Sequence, residues 1–93
     1  MRTVLETKDV RKSLKKVPPE IRKKYKAWVE VVKSGGSSNL KNFPGFKDKK
    51  LQGSLRECRA SRLNIQYRVI YKEDKTVKEI IVLKVTPHKY EEV

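Results

Sequence analysis

A single cysteine, Cys58, leaves no partner for an internal disulfide and cannot by itself hold a zinc ion. Long apolar runs are missing, so no membrane span is expected. The first residues, Met1 to Glu6, lack the apolar block of a secretory signal. These absences point to a cytosolic, cytoplasmic protein. Histidine occurs once, at His88, and no carboxylate pair or His/Cys cluster suggests a metal, so neither a metal nor a small-molecule cofactor is expected. There is no phosphate-binding P-loop, because Gly35-Gly36 is not followed by Lys-Ser/Thr, and no Ser-centred nucleophile elbow. Cys58 falls in a strand-like run and reads as a small buried apolar residue rather than a nucleophile.

Acidic residues are also scarce: 11 Asp and Glu stand against 24 Lys and Arg, a formal net charge of +13. A chain this basic attracts polyanions and repels its own copies. Nucleic acid, an anionic membrane and an acidic protein are the partners to weigh. A coat of lysines that only solubilises is the plainer alternative, but solubility rarely needs so one-sided a balance. The 93 residues suit one small domain, with 37% hydrophobic residues enough for one modest core.

Residues 1–6 read as an edge strand. Thr7 offers a helix N-cap with Asp9 in the first turn, and Val10, Leu14 and Val17 recur at helical spacing. Pro18-Pro19 ends that helix and opens a second. The second is striped by Ile21, Tyr25, Trp28, Val29 and Val32, with Arg22, Lys23, Lys26, Glu30 and Lys33 opposite. The run from Ser34 to Asn39 stops it in a flexible loop, and residues 40–53 show no period and read as loop. From residue 55 the pattern turns strand-like: Ile65, Tyr67, Val69 and Tyr71 alternate with Gln66, Arg68, Ile70 and Lys72, a turn falls at Glu73-Asp74-Lys75, and Val77 to Val85 reads as a central strand ended by Pro87. The expected class is α+β: a short N-terminal strand and a helical hairpin packed on a small, mainly antiparallel twisted sheet, forming one domain over residues 1–93.

The cations concentrate. Between residues 41 and 72 stand Lys41, Lys47, Lys49, Lys50, Arg56, Arg59, Arg62, Arg68 and Lys72, against only Asp48 and Glu57. On a loop and consecutive strands they would converge on one sheet face and neutralise successive phosphates. Tyr67, Tyr71, Phe46 and Tyr90 are candidates to stack on unpaired bases, although strand tyrosines are more often core or rim residues. His88, followed by Lys89 and Tyr90, could give or take a proton at a phosphodiester. Metal-free RNA cleavage needs a base for the 2′-OH, cations for the charge at phosphorus and an acid for the leaving 5′-oxygen. Arginines with a lone His or Tyr meet those needs.

The segment Leu51-Gln52-Gly53, the run Ser61-Arg62-Leu63-Asn64-Ile65-Gln66-Tyr67-Arg68-Val69-Ile70-Tyr71 and the tail Val85-Thr86-Pro87-His88-Lys89-Tyr90 resemble the RelE/ParE toxin superfamily. Members carry an L-x-G before the strand pair, an arginine-anchored strand ending in Y-R-V-x-Y, and a His, Arg or Tyr cluster after the last strand. With the helical hairpin in place, the resemblance spans nearly the whole chain. Features of the HigB, YoeB and YafQ types are mixed in it. The resemblance implies the toxin of a toxin–antitoxin pair: a ribosome-dependent, metal-independent mRNA endoribonuclease held inactive by a cognate antitoxin. It implies that Arg68 stabilises the scissile phosphate, that Arg62 fills a basic or histidine position on the neighbouring strand, and that His88 is a general acid or base. Tyr90 matches with shifted spacing. Lys49 stands where YoeB-type toxins place a glutamate base, so the base is either His88 or a lysine in a crowded cationic site. Lys41, Lys47, Lys50, Arg56 and Arg59 would hold RNA. The alternatives are a ParE-like inhibitor of DNA gyrase, which binds without cleaving RNA, and a non-catalytic basic nucleic-acid-binding domain.

Overall fold

The computed structural model describes residues 1–87. Its elements are β1 (Thr3–Glu6), α1 (Lys8–Lys16), α2 (Pro19–Gly35), β2 (Lys49–Lys50), β3 (Arg59–Arg62), β4 (Tyr67–Asp74) and β5 (Glu79–Pro87). The sheet runs β1-β5-β4-β3-β2. Its β1–β5 pairing is parallel and its other three pairings are antiparallel. This is the expected α+β arrangement, with the N-terminal strand at one edge.

Local chemistry sets the helix ends. The Thr7 hydroxyl accepts a hydrogen bond from the Val10 amide at 3.1 Å, satisfying one of the donors a helix start leaves over. Pro19 needs no amide partner at the first position of α2. Gly36 closes α2 with φ +71°, a left-handed conformation suited to glycine, while its amide donates to the Val32 carbonyl at 2.8 Å.

The helices bury their stripes on one sheet face. Val10, Val17, Ile21, Tyr25, Trp28 and Val32 pack against Val69, Tyr71, Ile80, Val82 and Val85. Trp28 is the centre: it stacks near Tyr25 at 5.8 Å and meets Tyr71 edge-on at 5.1 Å between ring centroids. Its indole donates to the buried Ser61 hydroxyl at 2.9 Å, tying α2 to β3.

Four expectations are corrected. Residues 40–53 are not irregular: short 3-10 turns at Ser37–Asn42, Pro44–Phe46 and Gly53–Leu55 flank the two-residue β2. Leu40 and Phe46 from that stretch complete the core, so Phe46 is no base-stacking platform, and neither is the fully buried Tyr71. The last strand begins at Glu79 rather than Val77, because the Asp74 carboxylate accepts from the amides of Thr76 and Val77 and carries the turn further. Arg22 does not stand on a free face; its guanidinium donates to the carbonyls of Leu14 and Val17, capping the end of α1.

Candidate nucleic-acid interface

Strand alternation sorts the basic residues onto two faces. Ser61 and Tyr71 turn towards the helices, so Ala60, Arg62, Arg68 and Ile70 turn away from them. The register sets Arg62 directly opposite Arg68, and Lys49 opposite Ala60. On this helix-free face Cys58, Ala60 and Ile70 form a small apolar cluster with Leu51 and Leu83 against it. Cys58 is thus the buried apolar residue expected, just ahead of β3.

Beside the cluster lies a concavity of about 250 Å³ whose lining includes Lys47, Lys49, Arg62 and Arg68, with Ala60 and Ser61 at its floor and Asn64, Ile65 and Tyr67 along its wall. The wall is shaped locally. The Asn64 carboxamide oxygen accepts from the amides of Gln66 at 2.8 Å and Tyr67 at 2.7 Å, bending the chain between β3 and β4. Ile65, 81% exposed, stands at the tip of that bend. Like charges set opposite each other across a strand pair repel, and an anion between them relieves that repulsion. At the rim, Lys47 holds φ 45° and ψ 46°, a left-handed conformation that costs a non-glycine residue about 1 kcal/mol or more. Backbone strain of this kind clusters at functional sites.

A second depression of about 410 Å³ adjoins the first through Lys47 and is lined also by Lys41, Arg59 and Lys75, with Ser37 and Ser38. Of the cations expected to bind RNA, Lys47, Lys41 and Arg59 therefore edge the hollows. Arg56 and Lys50 are exposed but line neither. Arg59 is not a free cation: it points to the helix side and is ion-paired with Asp48 at 2.7 Å. Burial works against its charge, but the Asp48 carboxylate outweighs it and holds the guanidinium more firmly protonated than usual. His88 and Tyr90 lie outside the described residues.

Sequence reasoning passed over Asp48, whose only signal was its rarity as an acid in a basic stretch. Its side chain, 7% exposed, accepts from the Ser61 hydroxyl at 2.8 Å, the Tyr71 phenol at 2.6 Å and Arg59 Nε at 2.8 Å. Burial first, and the Asp48 carboxylate second, raise the Tyr71 phenol far above the ordinary phenol range. Among the described residues no group of three or more His, Cys, Asp or Glu is placed to hold a metal, and no helix is long and apolar enough to cross a membrane.

Cations from β2, β3, β4 and the turn before β2 thus gather around one hollow on a small α+β fold. No protein-family model matches the sequence, and no curated protein matches it. Solved structures do match. The RelE toxin of the archaeal RelE–RelB complex from Pyrococcus horikoshii OT3 is 25% identical, with a TM-score of 0.72 over 96% of this chain and 97% of that one. A chain of the toxin–antitoxin complex RelBE2 from Mycobacterium tuberculosis is 28% identical, with a TM-score of 0.63 over 94% and 98%. YafQ from Escherichia coli BL21(DE3) superposes with a TM-score of 0.76 at 17% identity, over 95% and 94%, a likeness of fold alone. The fold is that of RelE-like toxins, and the chain is consistent with the RelE/YoeB-like toxin superfamily.

Proposed function

We propose that this protein is the toxin of a toxin–antitoxin pair and cleaves messenger RNA on the ribosome. The observation that carries the reading is the meeting of Lys47, Lys49, Arg62 and Arg68 around one hollow beside the half-buried Tyr67. In the cleavage, the 2′-OH gives up its proton, its oxygen bonds to phosphorus, the P–O5′ bond breaks and the 5′-oxygen takes a proton. The bottleneck is the extra negative charge at phosphorus, and pre-placed cations stabilise it without reorganising. Arg62 and Arg68, directly opposed, are suited to grip the scissile phosphate from two sides. Lys47 and Lys49 hold the flanking backbone, and Tyr67 offers a ring to an unstacked base. Proton transfer falls to His88, with Tyr90 near it in sequence, and Lys49 in the crowded cationic site is the other candidate for the base. The described part of β5 ends with Thr86 in register with Arg68 and Pro87 in register with Tyr67, and both of those β4 residues line the hollow.

The antitoxin partner is supported by the solved toxins of similar fold, several of which are complexes with their antitoxins. An acidic or amphipathic segment over the cationic hollow would silence it by charge and by occlusion.

Primer extension on messenger RNA from a translating extract tests the reading. Wild type should give discrete cuts, and Arg68→Ala and His88→Ala should each reduce them by about a hundredfold or more, as loss of a charge-stabilising or proton-transfer group does. Cuts undiminished in both variants would sink the assignment. Loss of gyrase supercoiling activity in the absence of any cut would place the protein with the gyrase-binding ParE type instead.

A further inference from the structure

We infer that Asp48 is a positioning residue that sets Lys47 and Lys49 on the rim of the cationic hollow, by anchoring the segment between them to the helix side of the sheet. The inference rests on the RNA-binding reading above and deepens it.

Two neighbours in extended chain point to opposite faces, so fixing one side chain fixes the next. Asp48 is fixed from three directions: Ser61 on β3, Tyr71 on β4 and the guanidinium of Arg59. Ser61 is itself held by the Trp28 indole, so the anchor continues into α2. With Asp48 turned inward, Lys49 must turn to the open face where Arg62 and Arg68 stand. The left-handed bend at Lys47 brings its side chain to the ridge between the two hollows.

The segment has little else to hold it. β2 has only two residues, its pairing puts Lys50 opposite Arg59, and both its residues are exposed. Beyond β2 the Leu51 amide bonds to the Cys58 carbonyl, and before it the Lys47 amide bonds to the Pro44 carbonyl next to the buried Phe46, so the stretch between these ends is what Asp48 holds. A carboxylate inside a polyanion-binding surface opposes the ligand by its charge. Its presence here is explained when what it contributes is geometry.

That opposition gives the test a sign. Asp48→Asn raises the net charge by one unit and releases Arg59, so charge alone predicts tighter binding of a polyanion. The positioning role predicts weaker binding. The probes are a single-stranded RNA oligonucleotide and inorganic polyphosphate, titrated over a range of salt concentrations at a temperature where each variant is folded. Asp48→Asn should bind RNA at least about threefold more weakly, and its log–log salt slope should fall by about 0.7 for each lysine withdrawn. Glu30→Gln on α2 supplies the pure charge effect and should bind slightly more tightly. Tyr71→Phe removes one anchor without changing charge or shape and should shift affinity the same way as Asp48→Asn, by less. Adding Lys49→Gln should cost less affinity in the Asp48→Asn background than in wild type. Binding by Asp48→Asn as tight as or tighter than wild type on both probes, or a fully additive double variant, overturns the role. A wild-type chain that binds polyphosphate but not RNA overturns the RNA reading instead, and the Asp48 effect is then read on polyphosphate.

Discussion

Lys47 carries a charge at the rim and a strained backbone, and a glycine there separates the two. Lys47→Gly relieves the left-handed strain while adding unfolded-state entropy of similar size, so stability should change by less than about 1 kcal/mol. RNA affinity should nonetheless fall several-fold with a shallower salt slope, since a phosphate contact is lost. Equal affinity by the same titration would show that the left-handed conformation, which glycine keeps, and not the charge, is what the site needs from this residue. Gly36 is the opposite case. A Cβ there would lie 2.4 Å from the Glu73 carboxylate and 2.6 Å from Arg2 Nε, at a φ that already disfavours a side chain. Glu73 also accepts from the Ser37 amide and hydroxyl, so it has little room to yield. Gly36→Ala should lower stability by about 2–3 kcal/mol, read as a drop in the urea midpoint at constant slope.

The helices, the edge strand and the long strand pair were legible in the sequence because one-dimensional patterns determine them: a cap, a Pro-Pro corner, a 3.6-residue stripe, an alternation of two. β2 was not, since two lysines in an exposed strand carry no alternation, and what holds them there is an aspartate reaching across to β3 and β4. The same limit hid which cations are free. Arg59 and Arg62 look alike in sequence, yet the register sends one to Asp48 and the other to the hollow. Arg22 teaches it a third time: a polar position on a helix became the clamp between two helices. Arg22→Gln should therefore loosen the hairpin, costing about 1–2 kcal/mol by thermal unfolding, whereas Lys23→Gln one position on should cost almost nothing. Equal effects would show that the clamp carries no stability.

Two buried phenols tie separate parts of the molecule together, Tyr25 to Glu6 of β1 and Tyr71 to Asp48. Burial, with the neighbouring carboxylate second, raises both far above their unfolded values. A group raised in the folded state contributes stability that is complete below its unfolded pKa of about 10 and drains away as pH climbs beyond it. Urea midpoints should therefore decline from pH 9 upward by about one proton per phenol. In the double variant Tyr25→Phe, Tyr71→Phe the decline should be much shallower, and an unchanged decline would assign it to other groups. The parallel pairing of β1 with β5 has a consequence in time. Thr3 meets Glu79, so the first strand waits for the last before it has a neighbour. Contacts so distant in sequence make folding slow relative to a chain of local contacts. During synthesis, β1 stays without its partner until β5 has left the exit tunnel, so the sheet cannot close while the chain between them is still being made.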